Sequence, residues 1–202
     1  MSLHLYTIVG FLKNYAGGFS LEKHIVQRLF HNLPHHAKAA ELLYQHCEDF
    51  LRDYQVSSDL YYDQTPQGEI KTIYSFKVVW AVYVFLKNRT EFLGRDYFLL
   101  SEELFEPLQL QEGAESLGYQ QRIAFLQGVC LSNYRDESKL YFYNDHRKCL
   151  LTYHLLHQLA DDEDELQLQS FFNTPQTDVI TLSREGPLWE KVMPKELRAW
   201  AE

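Results

Sequence analysis

The stretch from Lys139 to Glu165, KLYFYNDHRKCLLTYHLLHQLADDEDE, constrains this chain more than any other, because it changes period partway. Leu140 and Phe142, flanked by Tyr141 and Tyr143, have the composition of a short strand. Asn144 and Asp145 then offer side-chain oxygens to the free amides of a first helical turn. At about 100° per residue, Cys149, Leu151, Tyr153, Leu155, Leu156, Leu159 and Ala160 fall on one broad arc. His146, His154, His157 and Asp161 share the opposite side. The Leu arc faces a core by amphipathic logic. A strand feeding directly into such a helix predicts an α+β chain.

The polar stripe supports two readings. Neutral imidazoles one turn apart, with a carboxylate a turn further on, are zinc, iron or manganese ligand types. A solvated helix face rich in His fits the same spacing, and no HExxH signature selects the metal. Asp161 to Glu165 follow the helix at its negative end, where carboxylates are mildly unfavourable. An exposed polar loop, or a cation or basic partner, accounts for them.

Upstream, Leu3 to Leu12 (LHLYTIVGFL) suits a strand or a helix equally. Ser20 predicts a cap for a helix with Leu21, Ile25 and Leu29 inward. After Pro34, a second helix over about 36–54 places Ala39, Leu43, Cys47, Phe50 and Leu51 inward, and the two read as an N-terminal αα-hairpin. His46 and Asp49 share a face of that second helix. A bundle site could pair them with His154, His157 and Asp161, so the candidate metal set is His46, Asp49, His146, His154, His157 and Asp161.

Residues 59–76 read as two strands about a Pro66–Gly68 turn. Lys77 to Asn88, apolar nearly all round, reads as a buried central helix. Ser101 predicts a helix over 102–108 with Glu102 and Glu103 in its first turn. Residues 111–118 read as a linker, 119–130 as a helix, 166–183 as a hairpin about Asn173–Pro175, and Pro194 as N1 of a last helix. The fold expected is α+β and helix-rich, a mixed compact globule with short antiparallel strands. It divides at the linker into 1–110 and 119–202, or packs as one domain. A faint echo, Phe85-Leu86 before Arg95-Asp96 and Phe125-Leu126 before Arg135-Asp136, suggests duplication or chance.

The order helix 119–130, strand 139–143, helix 145–160, hairpin 166–183 and final helix resembles a half-unit of the LAGLIDADG homing endonucleases. FLQGVCLSNY, Phe125 to Tyr134, is similar to the end of that family's signature helix. The resemblance implies a nucleic-acid-binding scaffold. It places the family's metal-binding acid at Asn133 and its following glycine at Tyr134, and a neutral amide is a poor ligand for a catalytic divalent ion.

Charge sorts the remaining function classes. The formal charge is −9, and residues 1–100 balance at ten basic and ten acidic, so the excess lies in the second half. Nothing advertises the basic face that nucleic acid requires. The acidic half suits a basic protein or a cation. Cys47, Cys130 and Cys149 are far apart and odd in number, which suggests free thiols in a reducing compartment rather than a disulfide framework. No signal-like segment is evident, and the nine-residue apolar run from Val78 to Leu86 is too short to span a bilayer, so the expected location is cytoplasmic. Phosphate loops, GxSxG and CxxC pairs are absent. The favoured reading is therefore a non-enzymatic protein-interaction or regulatory domain with an acidic, aromatic-rich surface and no bound cofactor. The alternatives are a His/Asp-ligated metal enzyme such as a hydrolase, and a nucleic-acid binder on the endonuclease-like scaffold.

Overall fold

In the computed structural model, residues 2–12, 28–31, 37–92, 98–108, 116–136, 138–161, 164–172, 176–184 and 186–195 are described. The ambiguous first segment is a helix, α1 (Leu3–Phe11), started by Ser2, whose hydroxyl accepts from the His4 amide. Thr7, Ile8 and Val9 give it a strand-like composition, yet every residue from Leu5 to Phe11 is buried. Packing on all sides overrides propensity here.

A strand, β1 (Arg28–His31), stands where the second half of the Ser20-capped helix was expected; residues 13–27 lie outside the described part. The next helix, α2 (Ala37–Asp53), forms as expected. It packs on α1: His4 meets His46, and the Ser2 hydroxyl donates to Asp53 at 2.6 Å. A helical pair therefore does form at the N-terminus, joined by a long connection. Strands β2 (Tyr61–Gln64) and β3 (Ile70–Tyr74) form the expected hairpin and, with β1, an antiparallel sheet of order β1-β3-β2. Helix α3 (Phe76–Arg89) follows. Two two-residue strands, β4 (Glu91–Phe92) and β5 (Phe98–Leu99), pair antiparallel. The Ser101-capped helix shrinks to a single 3-10 turn, Glu102–Leu104.

Helix α4 (Leu117–Asn133) is longer than its sequence suggested, because Ser116 caps it at the Tyr119 amide. Strand β6 (Tyr134–Asp136) follows it, then β7 (Lys139–Tyr143) and helix α5 (His146–Leu159). The N-cap reading is corrected there. Asn144 takes a left-handed φ of 52°, and Asp145 holds the cap position without a side-chain hydrogen bond to the helix. Strands β8 (Leu166–Phe171) and β9 (Thr177–Leu182) make the expected hairpin, whose turn at 173–175 is outside the described residues. The sheet order is β6-β7-β9-β8, with Leu140, Ile180 and Leu168 in one register row against the helices. A short helix, α6 (Pro187–Val192), has Pro187 in its first turn; the helix expected after Pro194 lies mostly outside the described residues.

The centre is the α1/α4 pair. A Cβ built on Gly10 would stand 2.0 Å from the Phe125 carbonyl oxygen, and one on Gly128 1.9 Å from that of Thr7. Each glycine thus lets a backbone through, and the two contacts are reciprocal: 7 and 10 on one helix meet 128 and 125 on the other. That reciprocity relates α1 to α4, whereas the Phe-Leu echo had aligned α3 with α4. The buried apolar cluster runs from Leu5 through Leu43, Val82 and Phe125 to Leu155 and Val192, so both halves of the chain contribute to it.

Lys148 closes the end of this pair. It is 1% exposed, and its ammonium donates to the Leu12 carbonyl at 2.7 Å and to Asn133 Oδ1 at 3.4 Å. The C-terminal ends of α1 and α4, both negative by their backbone dipoles, converge on one cation. Asn133 also donates through Nδ2 to the Tyr141 carbonyl at 2.7 Å, which ties α4 to β7. The resemblance placed a metal-binding acid at this position; the residue present is part of a hydrogen-bonded junction.

Candidate functional site

The run from Lys77 to Asn88 is helical, but it is not buried all round. Val78, Val79, Val82, Phe85 and Leu86 face the core, while Phe76, Trp80 and Val84 are 47%, 46% and 36% exposed. Apolar residues on every side predict burial on every side, and this outer stripe departs from that expectation. Spacing does not single it out, since the buried Val78, Val82 and Leu86 also recur every four residues.

Local capping explains why the stripe points outward beside a second apolar surface. Ser75 accepts from the Val78 amide, and Asp59 accepts from the Lys77 amide at 3.0 Å, which fixes the start of α3. Helix α2 ends in a Schellman arrangement: Gln55 has φ 53°, its amide bonds the Arg52 carbonyl, and the Val56 amide bonds that of Leu51. That turn brings Tyr54 and Val56 alongside α3. Between the two helices lies a groove of ≈ 440 Å³. Phe50, Leu51, Tyr54 and Val56 line one wall, and Trp80, Ala81, Val84 and Phe85 the other, with Leu5 of α1 also reaching it. The lining carries two charged residues among those described, Lys77 and Arg89, and both are cationic.

The candidate metal ligands are dispersed. His146 Nδ1 meets the buried Asp178 carboxylate at 3.0 Å, and Ser170 donates to the other oxygen at 2.6 Å. His154 pairs with Glu102, to which Gln158 also donates at 2.9 Å. His157 is exposed, with its ring edge-on to Tyr153. Asp161 pairs with Lys191 at 3.2 Å. On α2, Asp49 binds Arg52 and accepts from Gln45, while His46 faces His4 with their Nδ1 atoms 2.8 Å apart. The proposed convergence of His46 and Asp49 with the α5 stripe does not occur. Among the described residues, no three His, Cys, Asp or Glu side chains lie together as a metal ion requires.

Of the acidic run, Asp164 is used internally. Its carboxylate accepts from the Asp161 amide at 2.9 Å and from the Leu188 amide at 3.1 Å, which caps α6. The polar-loop expectation therefore needs amending at that residue. The acid run also does more than stop α5.

Burial pushes the Cys130 thiol up to about 12, and raises Cys47 and Cys149 as well. None of the three has the depressed pKa or the exposure of a nucleophilic thiolate. Glu102 is held below the usual carboxylate range by the hydrogen bond from Gln158 and by attraction to His154 and Arg122. The described residues contain no helix long and apolar enough to cross a membrane. Comparison of the chain with protein-family models, with curated proteins and with solved structures finds no match.

Proposed function

We propose that this chain is a non-enzymatic protein-interaction domain whose docking surface is the α2/α3 groove. The observation that carries the reading is the grouping of Tyr54, Val56, Trp80 and Val84, all at least a third exposed, around one concavity. Aromatic residues are enriched at interface cores, and Trp and Tyr supply most binding hot spots. Exposing them together costs solvation in the free chain, which a partner would relieve. Raised thiol pKa values and dispersed His and Asp residues support a role without catalysis. The expectation of a basic partner for the acidic second half stands beside this and rests on charge alone.

The test compares affinity capture by the wild-type chain and by V84E, from cells where the chain is native. Val84 is already part-exposed, so the fold should tolerate the change, and circular dichroism checks it. The reading requires at least one protein, recovered stoichiometrically by wild type, to be lost with V84E. Identical recoveries would refute it.

A second reading, nucleic-acid binding, draws on the outer face of the β6-β7-β9-β8 sheet. Lys139, Tyr141 and Tyr143 alternate outward on β7, in register through β9 with Gln167, Gln169 and Phe171 on β8. Polar and aromatic side chains on one sheet face suit base stacking and hydrogen bonding. Salt-sensitive retention of a single-stranded or duplex probe, weakened by Y141A, would favour this reading over the groove.

A further inference from the structure

Resting on the groove reading, we infer that the occupant is a helical segment of a partner protein with carboxylates about three turns apart. Lys77 and Arg89 stand at opposite ends of α3, twelve residues apart, or about 18 Å along the axis at 1.5 Å per residue. Between them the lining is apolar except for Asn88 beside Arg89: Trp80, Ala81, Val84 and Phe85 on α3 face Leu51 and Tyr54 across the gap. A partner helix laid along this groove buries an i, i+3/i+4, i+7 stripe and presents its flanking residues to the two cations.

Both cations retain the capacity to pair. The Lys77 ammonium donates to the Ser57 carbonyl at 2.6 Å and hydroxyl at 2.7 Å, both neutral oxygens, while Asp59 accepts from its backbone amide. Arg89 meets Glu106 through Nη2 at 3.2 Å, which uses part of its five-donor fork. In a chain of formal charge −9, the two charged residues that line the groove are both cations, with Arg89 sharing its charge with Glu106.

The same charges disfavour other occupants. A second copy docking α3 against α3 antiparallel would bring Lys77 of one molecule beside Arg89 of the other. Like charges at both ends oppose that arrangement. An anionic bilayer would meet a concave surface on a net-negative molecule. An added strand has no sheet edge to extend, because the walls are helix side chains.

The experiment uses the full chain and two fluorescein-labelled amphipathic peptides of about 16 residues, long enough to span both cations. They share one apolar face; one carries Glu at both ends of it and the other Lys. Anisotropy at low salt should show the Glu-ended peptide binding about ten-fold tighter, the scale of two part-exposed ion pairs. K77E should remove most of that preference, R89Q should weaken it, 0.5 M salt should compress it, and V84E should abolish binding of both peptides. Equal affinity for the two peptides, or a preference indifferent to K77E, overturns the charge rule; if that binding is V84E-sensitive, the groove reading stands. Failure of both peptides while native capture stays V84E-sensitive overturns the helical occupant alone. Failure of both together with V84E-insensitive capture overturns the groove reading too. V84E-sensitive sedimentation as a dimer, or V84E-sensitive binding to anionic vesicles, overturns the partner class in favour of a second copy or a lipid surface.

Discussion

Replacing Gly128 with Ala tests the architecture at its tightest point. The added Cβ would lie 1.9 Å from the Thr7 carbonyl oxygen and 2.8 Å from the Phe11 amide nitrogen, whereas ordinary contact begins at 3.4 Å. Both neighbours are backbone of a buried helix, so no rotamer change relieves the clash. Relief requires α1 and α4 to part by about 1.5 Å, the difference between 3.4 and 1.9 Å. A gap of 0.5–1 Å already forfeits about a quarter to a half of the dispersion well for each facing atom pair. Overpacking in well-formed cores costs about 1–3 kcal/mol and occasionally more, and this site is at the upper end because the whole helix face must move. Better helix propensity returns up to about 1 kcal/mol. The expected net loss is about 2 kcal/mol, read as a fall in the urea midpoint by circular dichroism with an unchanged slope. G10A, reciprocal in geometry, should cost about as much. Because one separation relieves both clashes, the double variant should lose far less than the sum. A G128A chain within 1 kcal/mol of wild type, or strict additivity of the pair, would refute the close-packed α1/α4 centre.

K148M keeps the methylenes of Lys148 but strips the cation from the α1/α4 junction and leaves the Leu12 carbonyl without its donor. A loss of about 2–3 kcal/mol in urea melts is expected, and a neutral result would mean that the ammonium contributes nothing there. The three buried thiols should resist Ellman's reagent at pH 8 in the folded chain and all react in guanidinium; fast reaction of one thiol in the native state would contradict their burial. Glu102 has a folded pKa below its unfolded value, so its contribution is present at neutral pH. That contribution disappears as pH falls from the ordinary carboxylate value, about 4.3, through the depressed folded one. Its side chain is 41% exposed, which limits the effect to about 0.5 kcal/mol. Melting temperatures of wild type and E102Q should differ slightly at pH 7 and converge at pH 3, and a gap that widens on acidification would reverse the assigned sign.

Local chemistry was legible where the signal is local. The Pro66–Gly68 turn announced the β2/β3 hairpin, the Leu arc of α5 announced its buried face, and Ser101 announced a helical turn that lacks the residues to grow. Tertiary packing hid the rest. Nothing in the spacing of Leu3 to Leu12 could decide helix over strand, because the deciding contact is a glycine 118 positions away. Residues 28–31 carry helical periodicity yet pair with β3, so a sheet partner distant in sequence won over local pattern. Lys148 carries no signal in the sequence, since burial of a lysine depends on two helix ends meeting elsewhere. The His and Asp stripe of α5 is real as a stripe, but its members turn to different neighbours, Asp178, Glu102 and Lys191. The groove was masked by its own composition: an all-apolar run gives no hint of which side remains uncovered.

Hydroxyl-radical footprinting of the chain, free and bound to the protein recovered by capture, tests the docking claim most directly. Trp80 and Tyr54, 46% and 48% exposed in the free chain, should lose most of their oxidation in the complex, while Tyr143 and Phe172 keep theirs. Undiminished oxidation of Trp80 with protection moved to Tyr143 and Phe171 would place the partner on the sheet and contradict the groove.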